Sequence, residues 1–200
     1  TPLKGGFANG TAQQHMREKC VSKCKRLIWM ISNLPELTVE HMGDCIDLAL
    51  GGILGYYGRS TVIRWEDAEA IEKVRRQALR AKGYLGYDNG LTYSAHGIGH
   101  KHCYAHAAAA LVDQVDRALA GGYGEPVRIA VESMYAASVY RLGCREADPL
   151  AWEPTWLLEE LSDELMIEGY LKARMWTGIR AVTTGTWKSE RTGPLAAAVW

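Results

Sequence analysis

Gly43-Asp-Cys-Ile-Asp-Leu-Ala-Leu-Gly-Gly-Ile-Leu-Gly-Tyr-Tyr-Gly58, followed by Trp65-Glu-Asp-Ala-Glu-Ala-Ile-Glu-Lys-Val-Arg-Arg-Gln-Ala-Leu-Arg-Ala-Lys82, decides the fold. In the first segment Ile46, Ala49, Leu50, Ile53, Leu54 and Tyr57, preceded by Val39 and Met42, recur at helical spacing and form a wide apolar stripe. Thr38 is a good N-cap and Gly58 a natural end. Gly51, Gly52 and Gly55 lower the intrinsic stability of such a helix, and the expected return is close approach by another helix. The second segment is amphipathic, with Trp65, Ala68, Ile71, Val74, Ala78 and Leu79 inward. Glu66, Asp67 and Glu69 open it, while Arg75, Arg76, Arg80 and Lys82 stand toward its end, as the helix dipole favours. Gly83 is its stop.

The same periodicity extends both ways. Residues 1–12 are Gly-rich and polar. Met16, Cys20, Cys24, Leu27, Ile28 and Ile31 then define a basic helix whose polar face is expected to carry Arg17, Lys19, Lys23, Lys25 and Arg26. Asn33-Leu-Pro35 ends it, because proline lacks a backbone donor and disfavours helix just before it. Beyond a Gly- and Tyr-rich connection, a fourth helix is expected from about His100 to Ala120, with Tyr104, Ala107, Ala108, Leu111, Val112, Val115 and Leu119 inward and Gly121-Gly122 closing it. A fifth follows Pro126 with Ile129, Ala130, Met134, Ala137 and Tyr140 inward, and a sixth starts near Pro154 with Leu157, Leu161, Leu165, Tyr170 and Trp176 inward. Glu159, Glu160, Asp163, Glu164 and Glu168 read as dipole partners and solubilising charge on that last helix. No strand pattern stands out. The expected fold is all-α, with two packed helical units of about six helices and irregular ends: a three-helix unit over 1–90, a second unit over 91–183 and a tail over 184–200.

Composition narrows the function. The 200 residues carry 23 Lys and Arg and 23 Asp and Glu, so the net charge is zero. Residues 1–87 hold 13 basic against 9 acidic residues, and residues 88–200 hold 10 against 14, so a basic front precedes an acidic back. The odd count of 5 cysteines fits free thiols in a reducing, intracellular compartment better than a disulfide framework. The longest uncharged stretch of the central helix, Leu48 to Gly58, is about half of the ~20 residues needed to span a bilayer. A start at Thr1 fits a processed chain or a piece of a longer one.

Five short features occur in order: Lys4-Gly5-Gly6, His15-Met-Arg-Glu-Lys-Cys20, Leu54-Gly-Tyr-Tyr-Gly58, Glu72-Lys-Val-Arg-Arg-Gln-Ala-Leu-Arg80, and Gly97-Ile-Gly99 with the helix after it. Together they resemble the helical thumb and its continuation in reverse transcriptases of non-LTR retroelements, over roughly residues 1–120. The resemblance implies a helical module lying against nucleic acid. It does not extend to the family's palm, whose Tyr-x-Asp-Asp strand supplies the paired carboxylates for metal ions and is absent from this chain. The expectation is therefore a non-catalytic, thumb-like module contacting RNA or DNA through Arg17, Lys19, Lys23, Lys25, Arg26, Arg75, Arg76, Arg80 and Lys82. Phosphate contacts of this kind carry no sequence preference. The alternative is a structural subunit of a larger protein or ribonucleoprotein assembly, for which the neutral charge, the acidic back and the uncharged Leu195-Ala-Ala-Ala-Val-Trp200 end speak.

His96-Gly-Ile-Gly-His100-Lys-His102-Cys103-Tyr-Ala-His106 is the sharpest chemical pattern. His102 and His106 share a helix face at i, i+4, and Cys103 and His106 are neighbours at i, i+3. Zinc takes such nitrogens and thiolates in a tetrahedron, so His96, His100, His102, Cys103 and His106 form a candidate zinc set, and a small zinc-dependent hydrolase is a third reading. The run lacks the glutamate of the His-Glu-x-x-His arrangement. Cys20 and Cys24, at i, i+4, read as buried core thiols.

Overall fold

The computed structural model describes residues 10–84, 100–141 and 165–174. Within them the protein is all-α: α1 (Gly10–Ser32), α2 (Val39–Gly58), α3 (Trp65–Ala81), α4 (Cys103–Leu119), α5 (Glu125–Arg141) and α6 (residues 166–174), with no strand among the described residues. The chain divides into two compact units, one spanning Ala8–Ala110 and the other taking in the chain from Leu111 onward. No helix of the described residues is long and apolar enough to cross a membrane.

In the first unit α1 packs against both α2 and α3. Cys20, Cys24 and Ile28 of α1, Met42, Ile46, Leu50 and Leu54 of α2, and Ala68, Ile71 and Leu79 of α3 are almost wholly withdrawn from water. These are the stripes that periodicity selects. The helix ends follow local chemistry. The Thr38 hydroxyl accepts from the His41 amide at 3.3 Å. Asp67 accepts from the Arg64 amide at 3.2 Å, closing the first turn of α3. At the far end of α3, Gly83 takes φ +92°, and the amides of Gly83 and Tyr84 reach back to the carbonyls of Arg80 and Leu79 at 2.9 and 3.0 Å. That is a Schellman stop, and glycine carries it because the left-handed region strains any residue with a Cβ. Gly121-Gly122 ends α4 the same way.

In the second unit, Asp116 of α4 accepts the Tyr170 hydroxyl at 2.9 Å and the Arg174 guanidinium at 2.7 and 2.6 Å. Ile167, Tyr170, Leu171 and Ala173 of α6 are buried beside it in sequence. Four expectations fail here and nearby. Glu168 is fully buried rather than a solvated charge, and Leu165 is 48% exposed rather than inward. α5 buries Val131 and Ser138 and leaves Ile129, Ala130 and Ala137 exposed, a rotation away from the expected face. Its apolar residues are spread round the whole helix, so hydropathy alone does not fix which side turns in. Trp65 keeps 42% of its surface in water because it lies across a histidine ring instead of entering the core. The expected start of the sixth helix near Pro154, the inward Trp176 and the 184–200 tail lie outside the described residues.

Candidate functional site

The residues of chemical interest meet in a polar seam where α2, α3 and the first turn of α4 come together. One face of α2 carries Gly43, Asp47, Gly51 and Gly58, spaced so that all four look the same way. The His100 ring lies over Gly43, where a Cβ would stand 2.7 Å from Nε2. The His106 ring lies over Gly51, where a Cβ would stand 3.2 Å from Cε1, and the Ala107 backbone lies on Gly58, where a Cβ would stand 2.7 Å from the carbonyl oxygen. The close approach expected of the α2 glycines is thus made by this set. Gly52 and Gly55, also expected to receive a neighbouring helix, face open space.

Arg75 is the hub. It is 1% exposed. Its Nη2 donates to Asp47 Oδ1 at 3.1 Å, and its Nη1 donates to the Lys101 carbonyl at 3.1 Å and toward Glu72 Oε1 at 3.5 Å. Glu72, itself fully buried, accepts the Cys103 amide at 2.8 Å and so caps the N-terminus of α4 with a carboxylate. Glu69 faces the next turn: Oε1 lies 3.0 Å from His102 Nε2, and Oε2 accepts Arg76 at 3.2 Å. His102 Nδ1 accepts the Tyr104 amide at 3.2 Å, which places the ring proton on Nε2, pointing at Glu69. Trp65 stacks on this imidazole at 4.7 Å and 10°.

The electrostatics follow from this wiring. Burial alone would raise the Asp47 carboxyl, but the facing His106, 3.9 Å away, and the charge of Arg75 outweigh it and hold Asp47 below the usual carboxylate range. Glu69 is likewise held low, burial being outweighed by His102 and Arg76. Burial, then the charge of Arg75, push His100 below the ordinary histidine value, against the pull of Asp47, Asp44 and Glu72. Burial and the neighbouring Glu72 push the Cys103 thiol up, so it stays protonated.

These shifts fix a pH dependence. His100 takes up a proton less readily in the folded chain than in the unfolded one, so as pH drops through about 6.5 the unfolded chain binds a proton that the native chain resists, and stability falls. Asp47 and Glu69 add a loss at lower pH, as they are protonated through their depressed native values. The expected result is a melting temperature that declines from about pH 7 to about pH 5 in the native chain, with a shallower decline in His100→Asn, read by circular dichroism.

The structure sorts the candidate residues plainly. Arg75, His100, His102, Cys103 and His106 are brought together, with Arg76 at the edge through Glu69; His96 lies outside the described residues. Among the described residues no three His, Cys, Asp or Glu side chains converge as a group that could hold a metal ion. Both nitrogens of His102 are engaged within the protein. Of the nine basic residues, two depart from the expected solvent face. Arg75 is buried in the seam. Arg17 is 3% exposed, turned onto the core side of α1, with Nε 3.7 Å from Asp67. Each is drawn inward by an acidic partner from another helix. Lys82 donates to the Leu34 carbonyl at 2.9 Å and holds the end of α3 to the end of α1. Arg80 is exposed. Lys19, Lys23 and Arg26 stand on the outer face of α1 and Lys25 half-exposed beside them. Sequence reasoning missed Asp47 and Glu69 as partners of the histidines. The available signal was Gly43-x-x-x-Asp47-x-x-x-Gly51, a carboxylate set between two glycines on one helix face.

Protein-family models, curated proteins and solved structures were all compared with the chain, and none matches.

Proposed function

We propose that the chain is a non-catalytic helical module that contacts RNA or DNA through the outer face of α1. One observation carries this reading: Lys19, Lys23 and Arg26 are exposed at successive turns of one helix face, with Lys25 beside them, and Glu18 is the helix's sole acidic residue. Successive turns repeat a cation about every 6 Å, a ladder suited to a run of phosphates. Trp29 follows on the same face, 66% exposed, and offers a flat surface for a base. Lys23 also lies 5.4 Å from the centre of the Tyr57 ring, which steadies it on the surface. Arg17 and Arg75 drop out of the contact set because their charges are spent inside the fold. The seam supports the same reading from the other side: Arg75, Asp47, Glu72, Glu69 and His102 are joined to one another or to the backbone around the start of α4 and fix α4 to α2 and α3, a bracing role.

The test is binding of the full chain to a fluorescent single-stranded RNA and to an RNA–DNA hybrid at several salt concentrations. Three phosphate contacts predict a weakening of about 20–40-fold between about 50 and 200 mM salt. No binding at the lowest salt overturns the reading.

A second reading, a structural subunit of a larger assembly, is favoured by a different observation. Leu48 is 82% exposed and Tyr56 70% exposed on the outer face of α2, a large apolar outlay for a chain surface.

A further inference from the structure

We infer that α2 pairs, antiparallel and two-fold symmetric, with α2 of a second copy of this chain. α2 is split lengthwise. Met42, Ile46, Leu50, Leu54 and Tyr57 turn into the core, and the opposite side presents His41, Cys45, Leu48, Gly52, Gly55 and Arg59. That outer series steps by four and three residues in alternation, the spacing of a helix-pairing seam. Leu48 projects from it with 82% of its surface in water. Gly52 and Gly55 leave a gap, since a Cβ at either would meet nothing within 4 Å. The face therefore holds one knob and, within two turns, one hole.

Shape and charge agree on the occupant. In an antiparallel pair centred between Gly51 and Gly52, Leu48 of each copy stands opposite the partner's Gly55, beside the partner's Gly52. The same centre sets Asp44 opposite the partner's Arg59, both residues being exposed. Knob-to-hole and acid-to-base pairing thus share one midpoint, the condition for a self-complementary two-fold contact. A parallel pair would set Asp44 against Asp44, Arg59 against Arg59 and glycine against glycine, so it is disfavoured on both counts. An unrelated partner would have no reason to match the spacing of this segment to itself.

Sedimentation equilibrium of the full chain at tens of micromolar tests this. The expected mass is twice the 22.1 kDa of one chain. Leu48→Lys shifts the mass to that of one chain. Asp44→Arg and Arg59→Asp each weaken association by about tenfold or more, because each sets like charges opposite. The double variant carrying both reversals returns to native-like association, since the swapped charges again face each other. All three positions are on the surface, and helix content by circular dichroism checks that each variant folds. A native chain that stays at 22.1 kDa overturns the inference, as does a dimer indifferent to Leu48→Lys, or a double reversal as weak as the singles.

Discussion

Replacing Arg75 by methionine is expected to remove about 3–5 kcal/mol of stability, the cost of breaking a buried ion pair from one side. Methionine fills much of the volume, so the loss is electrostatic rather than a cavity. What remains is a fully buried Glu72 carboxylate, an Asp47 facing no guanidinium, and a Lys101 carbonyl stripped of its donor. For a chain of this size the melting temperature drops by roughly 10 °C. Urea unfolding measures it, and an unchanged m-value confirms that native stability moved rather than the compactness of the unfolded chain. Adding Glu72→Gln to Arg75→Met is expected to recover part of the loss. The neutral amide oxygen still accepts the Cys103 amide, and the fully buried carboxylate charge of Glu72 is gone. A single Arg75→Met within about 1 kcal/mol of native would mean that the seam does not brace the helices.

The second large effect is a difference of sign between two glycines of one helix. Gly58→Ala drives a methyl to 2.7 Å from the Ala107 carbonyl oxygen and 3.0 Å from its Cα. Both are backbone atoms, so relief requires moving the α4 segment, at a cost of about 1–3 kcal/mol. Gly52→Ala meets open space within its own chain and, read at a concentration low enough to keep copies apart, gains about 0.5–1 kcal/mol from helix propensity and the narrower unfolded ensemble. Thermal unfolding of the two variants beside the native chain reads both. Equal effects would mean that Ala107 does not press on α2.

Much of this architecture was written locally. Thr38, Asp67, Gly83 and Gly121 set helix ends because a cap needs only residues within about a turn of it. The α4 core face follows from periodicity because that helix concentrates its apolar residues on one side, and the α2 core face follows from its Met42, Ile46, Leu50, Leu54 and Tyr57 stripe although Leu48 and Tyr56 stay outside it. The inward charges did not follow. Arg17 turns in toward Asp67, Arg75 toward Asp47, and Arg174 toward Asp116, acids distant in the chain that only the fold brings near. Hydropathy scores each of these arginines as surface, and nothing in its neighbours contradicts that. α5 failed for the converse reason: its apolar residues point several ways, and tertiary contact chooses among them. The histidine run was legible as a cluster, while its purpose was not. The sequence shows donors at helical spacing, but the engagement of His102 with Tyr104 and Glu69 depends on a residue 33 positions away.

Charge reversal on α1 tests the central claim most directly. The triple variant Lys19→Glu, Lys23→Glu, Arg26→Glu alters only exposed side chains, so its melting temperature stays near that of the native chain. Fluorescence anisotropy with a labelled single-stranded RNA at low salt should show binding by the native chain and a loss of at least about tenfold in the triple variant. Arg75→Met, measured under conditions where it remains folded, should bind as the native chain does. Equal affinity of the triple variant and the native chain would contradict a phosphate-gripping α1.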